Sequence, residues 1–306
     1  MPATEQPAAD TAHPLPSGRA RELVRGAYDL HVHVEPDLAA RSTSDLELAR
    51  RFAELGLAGF VLKSHYVPTA ERAAVVRAAV PGVRALGSIT LNAGVGGLNA
   101  LAVEIAARQG ALIVWLPTVD AENEAEESGA LRPAKQPVWR QLQEGFQALG
   151  VLDGPVRLDG RLPAVLEVVA RHDLVLATGH LGREEIVTVV GDAVEAGIAR
   201  ILVTHPDYPT QGLSIDEQQG LVQRGALLER CFAPIHTGKV SWEQTFEAIR
   251  ATGTEHNVLS TDLGQLANPP VEDGLALMAD RLLDAGFSEE DVQTMAVANT
   301  RRLAGD

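Results

Sequence analysis

The stretch AYDLHVHVEPD (27–37) decides the fold. Its first eight residues form a short apolar, β-branched run of the kind that makes a buried strand, and the Glu-Pro-Asp that follows holds no glycine. A doubly wound open sheet builds its nucleotide site on a glycine-rich turn directly after the first strand. Without that turn the open sheet is the runner-up, and a closed barrel leads. Seven further runs of the same type follow: AGFVLKSHY (58–66), VRALGSITLN (83–92), ALIVWLPT (111–118), LVLATGH (174–180), RILVTHP (200–206), ALLERCFAP (226–234) and NVLSTDL (257–263). Stretches of helical spacing separate them. One is SDLELARRFAELG (44–56), which opens on a Ser/Asp cap and closes on Gly56.

The C-terminal ends of the eight runs fall near 33, 65, 92, 118, 180, 205, 234 and 262, at intervals of 32, 27, 26, 62, 25, 29 and 28. Six near-equal intervals describe one βα unit repeated around a (β/α)8 TIM barrel, and the long interval describes an insertion after strand four. That insertion (119–160) contains the acidic run DAENEAEE (120–127) and reads as a solvated loop. Because it leaves the C-terminal end of a strand, part of it is expected to overhang the mouth as a lid. Residues 1–20, rich in Pro, Ala and polar side chains without periodicity, read as a flexible N-terminal arm, and 21–306 as a single barrel domain.

The formal charge is −15, from 26 Lys and Arg against 41 Asp and Glu. A chain so acidic lacks the basic face that phosphate binding needs, which excludes nucleic acid as a partner. No apolar run approaches the roughly 20 residues that span a bilayer, and no secretion signal is evident. The expectation is a cytoplasmic protein acting on a small molecule, with a homo-oligomer left open. Cys231 is the single cysteine, so neither an internal disulfide nor a CxxC knuckle can form. Three of the basic residues are lysines: Lys63, Lys135 and Lys239.

In α/β barrels the functional groups gather at the C-terminal ends of the strands. Here those ends carry His31 and His33 on strand one, Lys63 and His65 on strand two, His180 on strand five, His205 on strand six and Asp262 on strand eight. Strand geometry puts His31 and His33, two residues apart, on one face. Five of nine histidines lie on this rim, whereas His13, His172, His236 and His256 lie elsewhere. Such gathering points to a metal site more than to satisfied polar core residues. Asn92 and Thr118 end strands three and four as candidate hydrogen-bond donors to substrate. Lys239 and Arg230, at or after strand seven, are candidates for binding a carboxylate, and Trp115 reads as core.

DLHVH (29–33), ATGH (177–180), VTHP (203–206), STDLG (260–264) and the terminal VANTRRLAG (297–305) together resemble the metal motifs and last helix of the amidohydrolase superfamily, including its phosphotriesterase-like lactonases. The resemblance implies His31, His33, His180 and His205 as ligands, and Asp262 as ligand and general base, with His205 beside it in the catalytic pair. The sequence departs from the pattern on strand four, where binuclear members carry a carbamylated lysine and ALIVWLPT has none. Two divalent ions a few ångströms apart need an anionic bridge. Lys63 is the substitute: a buried amine loses its proton readily and can take up carbon dioxide as a carbamate. Equally, Lys63 reads as a cation that holds a substrate anion or pairs with an acid such as Glu35. His65, on the same face, is a ligand or a substrate donor. Without a bridge the site is mononuclear.

The expected chemistry is hydrolysis of a C–N or C–O bond in a small cyclic amide or lactone by metal-activated hydroxide, with Asp262 moving the proton. A histidine-rich, thiolate-free set suits zinc first, and manganese, iron or cobalt as well. The rival readings are a mononuclear metal-dependent decarboxylase, a phosphoesterase of the histidinol-phosphatase type, an imine-forming aldolase using Lys63, and a non-catalytic ligand-binding barrel.

Overall fold

A computed structural model describes residues 13–124 and 156–306. Eight strands pair in parallel, in chain order: β1 (Tyr28–Val32), β2 (Gly59–Leu62), β3 (Arg84–Thr90), β4 (Ala111–Trp115), β5 (Val175–Ala177), β6 (Ile201–Thr204), β7 (Leu227–Cys231) and β8 (Asn257–Ser260). The ring closes between β8 and β1. There the amide of Asp262 donates to the carbonyl of His31 and the amide of His33 donates to that of Leu263, each at 2.8 Å. The chain is a (β/α)8 TIM barrel, as the strand spacing requires.

Local sequence explains the elements. Helix α1 (Gly18–Leu23) precedes β1, and α2 (Asp45–Leu55) follows it with Ser44 accepting from the Glu47 amide at one end and Gly56 left-handed at the other. The lower barrel is filled by Tyr28, Leu30, Val61, Leu86, Ile113, Trp115, Val175, Leu202 and Val258. A second apolar layer separates the strands from the helices. Removing side chains of this size from water is the main term that holds a barrel together. The strands are shorter than the sequence runs suggest. All but His31 of the rim candidates therefore sit just beyond a strand, on the turns that open toward the C-terminal face.

Two boundaries differ from expectation. The arm expected over 1–20 is already ordered at Ser17, whose hydroxyl accepts from the Ala20 amide at 3.0 Å and donates to Asp280 at 2.6 Å, and Ala20 is buried. A capped turn with one apolar face docks there, a signal that the neighbouring prolines conceal. The insertion begins inside the barrel wall, where Asp120 accepts from the Ala93 amide and the Val156 amide returns to Asp120, at 2.9 and 2.7 Å. The expected lid lies, for residues 125–155, outside the described residues. Among the described residues no helix is long and apolar enough to cross a membrane.

Candidate metal centre

At the β1–β8 seam three ligand atoms converge. Nε2 of His31 and Nε2 of His33 each lie 3.1 Å from Oδ1 of Asp262, and Nε2 of His205 lies 3.7 Å from its Oδ2. His31, His33 and Asp262 form one group able to hold an ion, and His31, His205 and Cys231 another. The backbone is arranged for this. His205 and Asp262 have φ of 48° and 53°, a left-handed conformation that costs side-chain-bearing residues about 1–3 kcal/mol each. Gly264 lies two residues after Asp262, and a Cβ there would lie 1.6 Å from the His33 carbonyl, so only glycine lets the β8 turn pass against β1. The Asp29 carboxylate beneath accepts from the amides of Thr261 and His31, at 3.0 and 3.2 Å, tying both strands.

Charges at the seam are strongly coupled. Burial and the Lys63 ammonium push His31 down, yet Asp262 and Glu229 outweigh them and leave its pKa raised. Burial would raise Asp262, but His31, His33 and His205 hold it well below the usual carboxylate range. Burial lowers His33 to about 4, and His65 and His205 well below the usual imidazole range. Buried Lys63 is also lowered, with Asp262 and Glu229 opposing. Its Nζ is 2.9 Å from Nε2 of His31 and 5.0 Å from the centre of the Trp115 ring. Glu35, suggested as its partner, instead accepts from the Arg41 amide at 3.3 Å.

The remaining predicted residues divide. His180 lines the cavity, its ring 5.6 Å from that of His205, but its Nδ1 lies 3.0 Å from Glu124 and it joins neither ligand group. Asn92 and Thr118, expected as substrate donors, turn their polar groups toward each other and His65. Asn92 donates to the Thr118 hydroxyl at 2.7 Å and to the His65 carbonyl at 3.0 Å, and accepts from the Thr118 amide at 2.8 Å. The Thr118 hydroxyl also lies 2.9 Å from Nδ1 of His65 and fixes that ring. Arg230 is buried and fully engaged by Asn257, Gln218 and Asp207, a structural role. Lys239, at the mouth, donates to the Tyr208 hydroxyl at 2.7 Å.

Two acids escaped the sequence reading. Glu229 is fully buried, with Oε1 3.3 Å from Nδ1 of His31. A proton on that Nδ1 leaves the Nε2 lone pair for the ligand cluster. The signal was there: alternation along LLERC (227–231) puts Glu229 on the face of Leu227, inside the barrel, where a carboxylate must find a partner. Glu124 belongs to the acidic run read as solvated, and the start of the insertion carries it into the cavity. Above the seam lies a cavity of about 320 Å³, whose wall includes His33, Lys63, His65, His205, Tyr208 and Asp262.

Solved structures share this architecture. An amidohydrolase from Pseudomonas aeruginosa is 12% identical, with 94% of this chain and 99% of that one covered and a TM-score of 0.59. A Pseudomonas putida protein described as a 2-pyrone-4,6-dicarboxylic acid hydrolase is 16% identical, covering 92% and 97%, TM-score 0.58. An organophosphorus hydrolase from Deinococcus radiodurans is 15% identical, covering 96% and 99%, TM-score 0.54. At such identities the likeness is one of fold. Among curated proteins no match is found. Residues 26–229, from just before β1 to the middle of β7, match the model of a family of unknown function, DUF6282, and the chain belongs to that family.

Proposed function

We propose that this barrel is a metal-dependent hydrolase of the amidohydrolase superfamily that opens a C–N or C–O bond in a small cyclic amide or lactone. The observation that carries the reading is the meeting of His31 and His33 Nε2 on one oxygen of Asp262 at the floor of the cavity. Imidazole and carboxylate donors fit a divalent ion, zinc first, with manganese, iron or cobalt as alternatives. The buried seam fits one as well: Glu229 beside Nδ1 of His31 favours the proton there and leaves that ring's Nε2 lone pair facing the Asp262 carboxylate, an arrangement that a bound cation would bridge. His31, His33 and Asp262 would hold the ion, with His205 and His180 as further donors from β6 and β5. A bound ion would supply Lewis acidity and a nucleophile at neutral pH.

The side chains do the rest. Asp262, ionised throughout the neutral range, takes the proton of the attacking water and returns it to the leaving nitrogen or oxygen. His65, neutral and anchored through Nδ1 by Thr118, lines the cavity and presents its other nitrogen as a hydrogen-bond partner for the substrate. Lys63 governs stoichiometry: as a neutral amine beside His31 it can become a carbamate and admit a second ion, whereas as a cation it limits the site to one. The substrate is a small molecule, the net charge speaks against nucleic acid, and residues 21–306 act as one catalytic domain. The test is metal analysis of wild type and Lys63→Ala with hydrolysis of a lactone and cyclic-amide panel. The expected result is about two ions in wild type, one in the variant, and ring opening that chelation abolishes. Unchanged occupancy removes the carbamate. Carbon dioxide release without ring opening transfers the site to the decarboxylase reading.

A further inference from the structure

The metal centre leaves part of the cavity wall unexplained, on the turns after β6 and β7. The contrast with the arginines is informative. Arg41, on the same wall, is held by Asp37 at 2.6 Å, and most described arginines likewise have a carboxylate. Lys239 has no carboxylate within ion-pairing distance among the described residues. Its Nζ gives one proton to the Tyr208 hydroxyl and has two more to give. Of the three lysines in an acidic chain, two line this cavity. Lys63 is committed to His31 and Trp115, which leaves Lys239 as the ammonium available at the mouth among the described residues.

Gln211 is the second observation. It lines the same cavity and is 1% exposed. Its Oε1 accepts from the Thr210 hydroxyl at 3.1 Å, whereas its buried Nε2 meets no acceptor. A buried amide donor left in this way costs about what a lost hydrogen bond costs. Both residues are tied to Tyr208: the Gln211 backbone N–H donates to the Tyr208 carbonyl at 3.0 Å, and the Lys239 ammonium donates to the Tyr208 hydroxyl at 2.7 Å. A cation and a neutral N–H donor in one stretch of wall match a planar anion with two acceptor oxygens. A single ammonium balances one negative charge. A doubly charged phosphate would face Glu124 and Asp262 across the same cavity with half its charge unmet.

We propose that the substrate carries a carboxylate, separate from the bond that is cleaved, which docks on Lys239 and the Gln211 amide at the β6–β7 side of the mouth. The inference rests on the hydrolase reading and adds the substrate class to it.

The test is calorimetric titration of glutarate and of glutaramide, its neutral diamide, into metal-loaded wild type, Lys239→Met and Lys239→Arg. Lys239 is exposed on a turn, so its replacement leaves the core alone, and circular dichroism checks the fold. Wild type should prefer glutarate. Lys239→Met should weaken glutarate about 10- to 100-fold, and Lys239→Arg should recover most of the loss. The kcat/KM ratio for 5-oxotetrahydrofuran-2-carboxylate over γ-butyrolactone should fall by a similar factor in Lys239→Met, through KM. Equal glutarate affinity in wild type and Lys239→Met, or glutaramide binding as tightly as glutarate, overturns the proposal. Lys239-dependent glutarate binding without hydrolysis of either lactone upholds the subsite and refutes the hydrolase reading. Hydrolysis of both lactones with no dependence on Lys239 does the reverse.

Discussion

Asn92, Thr118 and His65, at the ends of β3, β4 and β2, form a polar cluster about as large as the one that His31, His33, His205 and Asp262 form beside the β1–β8 seam, yet the two are built on opposite terms. In the first, the Asn92 amide, the Thr118 hydroxyl and Nδ1 of His65 are linked in a chain of hydrogen bonds with every step between 2.7 and 2.9 Å. In the second, Nδ1 of His33, Nδ1 of His205 and the second oxygen of the neighbouring Glu229 are buried without partners. His205 and Asp262 also hold left-handed backbone. A cluster that satisfies itself fixes turns in register, and of its three members only His65 reaches the cavity. A cluster with unmet polar atoms, coupled charges and strained backbone is the kind retained for chemistry.

The sharpest way to break the comparison is Asp262→Asn, which keeps the shape and removes the charge that three ring nitrogens and an amine share. The expected loss in kcat is about 10²- to 10⁴-fold, as for other general bases, with metal content falling alongside and the circular dichroism spectrum kept. Activity within tenfold of wild type would mean that Asp262 is merely another satisfied polar group.

How much of this was legible in the sequence follows the same division. The barrel was readable because strand ends recur at near-equal intervals, a one-dimensional property of the chain, and the seam histidines were readable because period-two spacing fixes their common face. The partnership of Asn92 with Thr118 was not readable. Both end strands and both are small and polar, and only the distance between the β3 and β4 turns decides whether such groups meet each other or the substrate. Glu229 was missed because a strand-end search looks beyond the strand, and this carboxylate lies within β7, under His31. Glu124 was missed because a run of acids reads as solvent-facing, while the contact of its insertion with His180 joins residues 56 positions apart.

A second prediction concerns the layer under the seam. Burial raises Asp29 from 3.8 to about 7, against the opposing hydrogen bonds from Thr261 and His31. Between those two values the unfolded chain is ionised at this position and the folded chain is not, so the fold loses stability as pH rises from about 4 to 7. Asp29→Asn presents the same acceptor to the Thr261 and His31 amides and cannot ionise. Chemical denaturation of the metal-free proteins should therefore show a difference in unfolding free energy that is flat below pH 4. It should grow in the variant's favour to at most about 4 kcal/mol and level off above pH 7. A difference that is constant across this range would show that Asp29 is already charged when folded and held by the His31 amide and the amide and hydroxyl of Thr261.

The smallest effect is expected on the self-satisfied side, where Asn92→Ala is the control that gives the comparison its meaning. The substitution strands the Thr118 amide and the His65 carbonyl in a buried place, which costs about 1–3 kcal/mol of unfolding free energy. Because Thr118 keeps its hydroxyl against Nδ1 of His65, the orientation of that imidazole survives, and kcat/KM should stay within about threefold of wild type while the denaturation midpoint drops. If Asn92→Ala instead leaves stability alone and removes activity, its amide reaches the substrate in the working state. The two clusters would then be one rim divided by loop position, and satisfaction of hydrogen bonds at rest would be no guide to which half does the chemistry.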